Sequence, residues 1–299
     1  MILIADSGST KTDWTLLHTT NPLLKSEVIA SFHTQGITPI HQTAGDIRQI
    51  LERELLPQLS SFPRAKLISM GILDHSLLQN INIFFYGSGC TPEHVPMMKQ
   101  LFMEEMSPKT IEVHSDLMAA ARALCQHDAG MACILGTGAN SCVYDGKKIV
   151  HNTPALGYIL GDEGSGAVLG KHLLHDLYTG VLPHNLRLTF EKEMGLELSE
   201  IINKVYREPQ ANRFLASLSE FIHRHLDEEG IRQMVYNTFS DFINYHVSRY
   251  GRHDLPLSFV GSIAFYYQEQ LQLIVQMLGY PMGTILKSPL QGLVAYHSK

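Results

Sequence analysis

The chain has 299 residues, of which 44% are hydrophobic and 17% charged, a balance typical of a folded protein rather than a disordered one. Its net charge is −6 and no dense basic run occurs, which argues against a nucleic-acid partner. The apolar stretches are strand-sized, far shorter than the roughly 20 residues that a membrane helix needs. Because the start MILIAD also lacks the features of a secretory signal, we expect a cytoplasmic protein without membrane association.

The cysteines give no metal signature. None of the four belongs to a CxxC pair, which argues against a zinc or iron–sulfur site. We expect them to be buried, reduced thiols. They are Cys90, Cys125, Cys133 and Cys142.

The N-terminal part of the chain alternates strand and helix patterns. Three strand patterns joined by short turns predict a meander, at 2–6, 13–18 and 26–34. Apolar residues at helical spacing predict a helix over 43–59, with Thr43 as its N-cap. The remaining predicted elements are a strand at 81–90, a helix at 91–106, a strand at 110–116 and a helix at 116–126.

The pattern then restarts in the second part of the chain. Residues 130–138 predict a strand that runs into a glycine turn, and 141–152 predict a hairpin around an Asp-Gly pair. A mostly helical stretch follows over 165–250. The last predicted elements are a strand at 257–263, a helix at 264–279, a strand at 283–288 and a short tail helix.

Two α/β halves of this kind predict two lobes with a ligand cleft between them. We predict an N-terminal lobe over 1–118, with the tail 290–299 packing back on it. The second lobe is predicted over 119–289, and the helical stretch 165–250 is an insertion in it.

Small residues follow the predicted strands repeatedly. Glycine lets backbone N–H groups approach a phosphate closely, and Ser and Thr hydroxyls add donors, so several such turns in one chain predict a nucleotide site. Neither GxxxxGK[ST] nor a helix-opening GxGxxG occurs, which excludes a P-loop and weakens a dinucleotide fold. The turns are DSGSTK (6–11), GSGC (87–90), GTGANS (136–141), VGSI (260–263) and LGDEGSG (160–166).

Acidic residues stand beside these turns. Asp6 ends the first strand, where a carboxylate suits Mg²⁺. Asp116 lies at a strand-to-helix junction, and a carboxylate that faces a bound hydroxyl is suited to act as a general base. The alternative is local, because Asp116 and Asp162 are both well placed to cap helices.

Taken together, these motifs resemble a known family. DSGSTKTDW, ILGTGANS and FVGSIA resemble the two phosphate motifs and the adenosine motif of the actin-like ATPase superfamily of sugar kinases and heat-shock chaperones. HSDLMAAA, GTGANS and GYILGDEGSGAVLG are similar to the N-acetylglucosamine kinase branch, in the group that includes the BadF/BadG ATPases. The resemblance runs from residue 2 to about 295. It implies a duplicated ribonuclease-H-like fold, with two lobes around a cleft, and transfer of the γ-phosphoryl of ATP, with Mg²⁺, to the 6-hydroxyl of an amino sugar, N-acetylglucosamine above all.

The resemblance also implies roles for individual residues. Asp116 takes the position of the catalytic base and Asp6 the metal side. The residues implied at the nucleotide are Gly8, Ser9, Thr10, Lys11, Gly136, Thr137, Gly138, Gly261 and Ser262. The residues implied at the sugar are Gly36, Thr38, Asp116, Asn140, Gly157 and Asp162.

Two residues depart from the pattern of the animal enzymes. Those enzymes have Asn where Thr38 aligns and Trp where Leu156 precedes the glycine at Gly157. A hydroxyl reaches less far than an amide, and an aliphatic side chain gives no stacking platform. Both departures concern sugar recognition and not the phosphate chemistry, so the sequence supports an amino-sugar kinase better than one particular sugar.

Two other functions stay open at this point. One is an ATPase that activates another enzyme, a role that uses an iron–sulfur cluster held by cysteines at a dimer interface. The other is a non-catalytic sugar-binding or ATP-binding protein, because fold does not determine function. The expected partners are an amino sugar and ATP, with a homodimer as one expected assembly.

Overall fold

The computed structural model describes residues 1–18, 27–62 and 78–298. They form two compact units, Met1–His127 with Pro289–Lys299, and Asp128–Ser288. Each unit is built on one five-stranded sheet. The division predicted from the sequence, after residue 118, falls inside the helix Asp116–Cys125, whereas the first unit continues to His127.

The sheet of the first unit has the order β3-β2-β1-β4-β5. β1 pairs antiparallel with β2, and β2 with β3, which is the predicted meander. β4 and β5 continue the sheet in parallel with β1. The strands are β1 (Ile2–Ser7), β2 (Lys11–His18), β3 (Glu27–Gln35), β4 (Asn82–Gly87) and β5 (Thr110–Ser115).

The helices of the first unit cover its sheet. Thr43 caps the first helix, with Asp46 completing a capping box, as the sequence predicts. A π-helical turn, Leu51–Leu55, interrupts the predicted continuous helix. The helices are α1 (Ala44–Ile50), α2 (Leu56–Ser60), α3 (Val95–Met106), α4 (Asp116–Cys125) and α14 (Leu290–His297), with a 3₁₀ turn at Leu78–Asn80.

The prediction that α3 begins at residue 91 is wrong. The helix begins at Val95, and the N–H of His94 donates to the carbonyl of Thr91 at 2.9 Å in a turn before it. Pro96 explains the difference. Proline has no N–H and is tolerated only in the first helical turn, so a helix begun at 91 would place it too deep.

The sheet of the second unit has the order β10-β9-β6-β7-β8. β6, β7 and β8 form an antiparallel meander, and β9 and β10 continue the sheet in parallel with β6. The order and the directions repeat those of the first sheet, which confirms the predicted duplicated ribonuclease-H-like fold. The strands are β6 (Ala129–Leu135), β7 (Ala139–Asp145), β8 (Ile149–Thr153), β9 (Leu257–Val260) and β10 (Met282–Leu286).

Between β8 and β9 the chain is helical, as predicted. The predicted helix 264–279 is divided at Tyr267, whose side chain is buried and whose hydroxyl donates to the Ser219 carbonyl at 2.6 Å. In the described part of the chain, no helix is long and apolar enough to cross a membrane. The helices are α5 (Gly157–Leu160), α6 (Gly166–Thr179), α7 (His184–Met194), α8 (Leu198–Tyr206), α9 (Ala211–Ser217), α10 (Ser219–Arg224), α11 (Glu229–Phe242), α12 (Ser262–Tyr266) and α13 (Gln268–Met277).

Candidate functional site

The turn between β1 and β2 lies against the loop that follows β3. The Gly8 N–H donates to the Lys11 carbonyl at 3.0 Å, which closes the turn, and the Gly36 N–H donates to the Thr10 carbonyl at 3.1 Å. A Cβ on Gly36 would lie 2.3 Å from the Gly8 oxygen, so only glycine permits this approach. The structure therefore brings together Gly8–Lys11 and Gly36, which the sequence assigns to the nucleotide and the sugar.

Buried hydroxyl and amide groups hold this loop in place. The Ser7 hydroxyl donates to the Ile37 carbonyl at 3.0 Å and accepts from the Ile37 N–H at 2.9 Å. The Gln42 side chain accepts from the Thr38 N–H at 2.7 Å and donates to the Gly36 carbonyl at 2.9 Å. Thr38 is itself buried. The spacing of Gln42 from Gly36 carries no recognisable sequence signal, so its role was not predictable.

The polar residues of the β1–β2 turn differ in how far they are exposed and in whether they are already paired. Ser9 and Thr10 are exposed, and Asp6 is half-buried at the end of β1. The Lys11 amino group is paired with the Asp13 carboxylate at 2.8 Å, and His33 Nδ1 lies 2.6 Å from the same carboxylate. The Lys11 side chain is 65% exposed, so N–H donors that Asp13 does not use can still contact a phosphate.

Asp116 begins α4 but does not cap it. The N-cap is Ser115, whose hydroxyl accepts from the Met118 N–H at 3.3 Å, so the capping alternative for Asp116 is wrong. The carboxylate accepts from the Leu117 N–H at 2.8 Å and from the Ser88 hydroxyl. Burial raises the pKa of this carboxyl despite those hydrogen bonds. A carboxylate whose pKa is moved toward neutrality is suited to proton transfer.

Cys90 lies near Asp116 in the same unit. Burial, and then the charge of Asp116, raise the pKa of the Cys90 thiol to about 12. The thiol is therefore neutral and unreactive at physiological pH. Cys133 and Cys142 are likewise buried, and Cys125 is half-buried.

In the second unit, the turn between β6 and β7 is tied to the start of α6. The Gly136 N–H donates to the Gly138 carbonyl at 3.0 Å, and the Gly166 N–H donates to the Gly136 carbonyl at 2.8 Å. A Cβ on Gly136 would meet no atom within 4 Å, so open space adjoins the turn. Thr137, between the two glycines, is exposed.

Gly261, at the end of β9, lies against the same turn. Its φ of +126° is a conformation that L side chains rarely adopt, and a Cβ there would lie 2.2 Å from the Leu135 oxygen. Ser262 is the first residue of α12. The structure thus brings together Gly136 and Gly261, two of the residues that the sequence assigns to the nucleotide.

Asp162 is held between two predicted glycine segments. Its carboxylate accepts hydrogen bonds from the N–H groups of Ala139 and Gly157, and a Cβ on Gly138 would lie 2.9 Å from its Oδ2. Its φ is +58°, which is rare for a non-glycine residue. Burial raises the pKa of this carboxyl. The cap of α6 is Ser165, so the capping alternative for Asp162 is wrong as well.

Asn140 is the second residue of β7. Its Oδ1 accepts from the Ser141 N–H at 2.9 Å and from Asn152 Nδ2 at 2.9 Å. These two donors orient the side chain so that its amide NH₂ is directed away from them. Asn140 is half-buried, which leaves this donor able to contact a small ligand.

The residues present fit a magnesium-bound nucleotide. Mg²⁺ is usually held by one or two carboxylates together with substrate phosphates and waters, rather than by an all-protein cage. Across residues 1–18, 27–62 and 78–298 no cluster of three or more His, Cys, Asp or Glu side chains could hold a metal ion. A single carboxylate at Asp6, next to an exposed hydroxyl turn, is the donor set that such an ion requires.

The comparisons with known proteins agree with this geometry. No family model and no curated protein matches the sequence. The structure is similar to that of a candidate N-acetylglucosamine kinase from Porphyromonas gingivalis, with 44% identity, a TM-score of 0.89 and coverage of 100% of this chain and 99% of that one. A second candidate N-acetylglucosamine kinase, from Chromobacterium violaceum, has 16% identity, a TM-score of 0.70 and coverage of 99% and 98%.

A third similar structure is MreB 5 of Spiroplasma citri bound to AMPPNP, with 11% identity, a TM-score of 0.50 and coverage of 99% and 93%. The duplicated sheet and these neighbours define the class, an actin-like ATPase fold. Because the first relative is 44% identical over the whole chain, the protein belongs to the N-acetylglucosamine kinase-like family of this superfamily.

Proposed function

We propose that the protein is an ATP-dependent kinase that phosphorylates the 6-hydroxyl of an amino sugar, most specifically N-acetylglucosamine. The family supports the class of reaction, because the relative that is 44% identical is named as a candidate kinase of this sugar. The proposal also takes up Mg²⁺, a cytoplasmic location and a homodimer as its expected setting.

The observation that carries the proposal is Asp116. Ser115 supplies the helix cap, so the Asp116 carboxylate is not needed for α4. The Ser88 hydroxyl and the Leu117 N–H orient it, and burial raises its pKa toward the range of a general base. In the proposed reaction this carboxylate accepts the proton of the sugar hydroxyl.

The nucleotide contacts are proposed for residues in both units. In the first unit, Ser9, Thr10 and the backbone of their turn would contact phosphate oxygens, Lys11 would add a positive charge, and Asp6 would hold Mg²⁺. In the second unit these contacts are proposed for Gly136–Gly138, Gly261 and Ser262. When bound, the metal ion neutralises charge on the transferring phosphoryl group.

The sugar contacts are proposed for short polar side chains and backbone groups. Asp162 offers a carboxylate that accepts from sugar hydroxyls, and Asn140 offers an oriented amide donor. Gly36, Thr38 and Gly157 supply the neighbouring loop contacts. The Thr38 N–H is already bonded to Gln42, so this residue would contact the sugar through its hydroxyl or carbonyl.

Coupled ADP release tests the proposal. Purified protein with ATP and Mg²⁺ is assayed against N-acetylglucosamine, N-acetylmannosamine, N-acetylmuramate, glucosamine and glucose. We expect the N-acetylated amino sugars to be used and glucose to be poor. Asp116→Asn should abolish the release, whereas Asp145→Asn, in the exposed β7–β8 turn, should not. No release with any of the sugars would overturn the proposal.

A further inference from the structure

The end of α11 is irregular at a place that faces the acidic loop after α5. The helix passes from Phe242 into a π-helical turn, Ile243–Val247, and then a 3₁₀ turn, Ser248–Tyr250. Short π-helical segments inside helices are frequent at functional sites, because they turn a side chain away from the regular repeat. The side chain concerned is that of His246.

His246 is buried and held from several directions. Its Nε2 lies 2.7 Å from Glu163 Oε2, and its ring stacks on Phe242 at 5.3 Å between centroids and 25° between planes. Its backbone carbonyl accepts from the Thr153 hydroxyl at 3.0 Å. With only 6% of its surface exposed, the ring has little freedom to move. The Glu163 carboxylate therefore meets a partner whose position is already determined.

Glu163 is directly joined to Asp162, the carboxylate proposed to bind the sugar. The loop around them is packed closely on α11, since a Cβ on Gly164 would lie 2.9 Å from Phe242 Cβ. Asp162 keeps a φ of +58°, and a non-glycine residue keeps such a φ only when its surroundings impose it. The His246–Glu163 contact is a restraint on the residue next to Asp162.

The same irregular turn is also linked by hydrogen bonds to the strand of Asn140, another residue proposed to contact the sugar. The Tyr250 hydroxyl lies 2.7 Å from the Ser141 hydroxyl and accepts from the Thr153 N–H at 2.9 Å. Ser141 is in turn hydrogen-bonded to Asn140 through its N–H. The turn Ile243–Tyr250 thus supports the strand that carries Asn140 and the loop that carries Asp162.

We propose that His246 and Glu163 are positioning residues for the sugar: His246 holds the Glu163 carboxylate, and Glu163 holds the backbone at Asp162 in its sugar-binding conformation. The inference rests on the proposed sugar-kinase function and deepens it, because the sequence assigned no role to His246 and placed Glu163 only within the segment LGDEGSG. It assigns sugar affinity, and not nucleotide affinity, to the π-helical turn.

The charges of Glu163 and His246 affect the titration of Asp162, which provides a measurement that a purely structural role would not change. Besides burial, the charge of Glu163 raises the pKa of Asp162, whereas His246 lowers it. Asp241 of α11 is a further titratable neighbour of Glu163: burial raises the pKa of Asp241, the charge of Glu163 raises it further, and His172 of α6 lowers it. Removal of Glu163 and removal of His246 should therefore shift the titration of Asp162 in opposite directions.

The test compares Glu163→Gln and His246→Gln with Tyr245→Gln, a control on the exposed side of the same turn. We expect both test variants to raise KM for the sugar roughly tenfold, as misplacement of a binding group does, with KM for ATP unchanged and kcat little affected. The acidic limb of kcat/KM should move to lower pH in Glu163→Gln and to higher pH in His246→Gln. The control should match the wild type.

Calorimetric titration of the sugar without ATP distinguishes failure of the positioning role from failure of the proposed kinase function. If the wild type phosphorylates the sugar and both variants bind it with wild-type Kd and an unshifted acidic limb, the positioning role is overturned and the kinase function stands. If the wild type neither binds nor phosphorylates any sugar, the proposed function fails, and the positioning role fails with it. Should His246→Gln not fold, Glu163→Gln alone decides, since it keeps the size of the side chain.

Discussion

The two units share one sheet order but differ in what stands at the ends of equivalent strands. The first two strands of each sheet are joined by a glycine turn, and the two turns differ in length. The turn of the first unit, closed by the pair Ser7–Thr12, contains Gly8 to Lys11. The turn of the second unit, closed by the pair Leu135–Ala139, contains only Gly136 to Gly138. The longer turn exposes hydroxyls and a lysine. The shorter one exposes Thr137, between the half-buried Gly136 and Gly138. The two units therefore share the strand order of their sheets but present different hydrogen-bond donors at the hairpin turns.

The acidic residues differ more than the turns do. Asp116 directly follows β5 in the first unit, whereas β10, the equivalent strand of the second unit, is followed by Lys287 and Ser288. The second unit instead carries its acidic pair, Asp162 and Glu163, in the helical segment between β8 and β9. Under the proposed function, the carboxylate that accepts the proton lies in the first unit and the carboxylate that binds the sugar lies in the second.

The largest expected effect comes from removing the carboxylate of the first unit. Asp116→Asn should lower kcat by about 10³-fold, because it removes a general base while keeping the shape of the side chain. Asp162→Asn should instead act mainly on KM for the sugar. Steady-state kinetics with N-acetylglucosamine measure both. Equal losses of kcat in the two variants would contradict these separate roles.

Asp116→Asn should at the same time stabilise the fold at neutral pH. The folded-state pKa of Asp116 is raised, so its contribution to stability is present in full below the unfolded pKa and is lost as pH rises through the folded pKa. The amide carries no charge and escapes this loss. A melting temperature at pH 7 that falls in the variant would show that the buried charge is compensated.

The next effect concerns the fold of the second unit. Gly261→Ala should cost about 3 kcal/mol or more, because a Cβ at a φ of +126° meets the Leu135 oxygen. Gly136→Ala is the matched change in open space and should leave stability intact while weakening ATP binding. Circular dichroism melts and nucleotide titrations measure the two. A stable Gly261→Ala protein would show that β9 can shift away from the turn.

A further prediction uses a half-buried histidine that ties α14 to β4 within the first unit. Tyr86 donates to His297 Nε2 at 2.8 Å and receives a hydrogen bond from Arg122 at 2.6 Å. Burial, followed by the charge of Arg122, lowers the pKa of His297 to about 4, against a smaller opposing effect of Glu112. Between the ordinary histidine pKa of 6.5 and about 4, the unfolded chain binds the proton more tightly than the folded protein does, so stability falls as the pH falls, by up to about 1.4 kcal/mol per pH unit.

His297→Gln should flatten that acid dependence, since an amide oxygen still accepts from Tyr86 and does not titrate in this range. Trp14, the single tryptophan, is buried in β2, so its fluorescence reports unfolding of the first unit. Urea unfolding midpoints, followed by Trp14 fluorescence from pH 7 to pH 4.5, measure how steeply stability depends on pH. An unchanged slope in the variant would assign the acid sensitivity to other groups.

The sequence predicted the sheet frame well because its signals are local. Alternation, glycine turns and the Thr43 cap depend on near neighbours, and they gave the strands of both units. It missed the π-helical turns and the break at Tyr267, because burial against distant helices decides those. It also offered Asp116 and Asp162 as alternative helix caps, although the serines of HSD and GSG supply the caps. His246 contacts Glu163 across 83 residues, a separation for which one sequence holds no signal, and the short spacing of Gln42 from Gly36 and Thr38 forms no recognisable motif.

The smallest expected effects come from a matched pair of surface arginines. Arg48 bridges Glu104 and Glu105 of α3 in the first unit, and Arg224 bridges Glu193 and Glu220 in the second. Their side chains are 40% and 47% exposed, so water and salt screen both networks to a similar degree.

Arg48→Gln and Arg224→Gln should each lower the melting temperature by no more than about 2 °C, and the difference should shrink in 1 M NaCl. Trp14 fluorescence reports the first variant and circular dichroism the second. Arg48 joins two helices through both of its contacts, whereas one contact of Arg224 lies within a single helix. A clearly larger loss for Arg48→Gln would therefore mean that the first unit depends on charge pairs between its helices where the second depends on its larger apolar core.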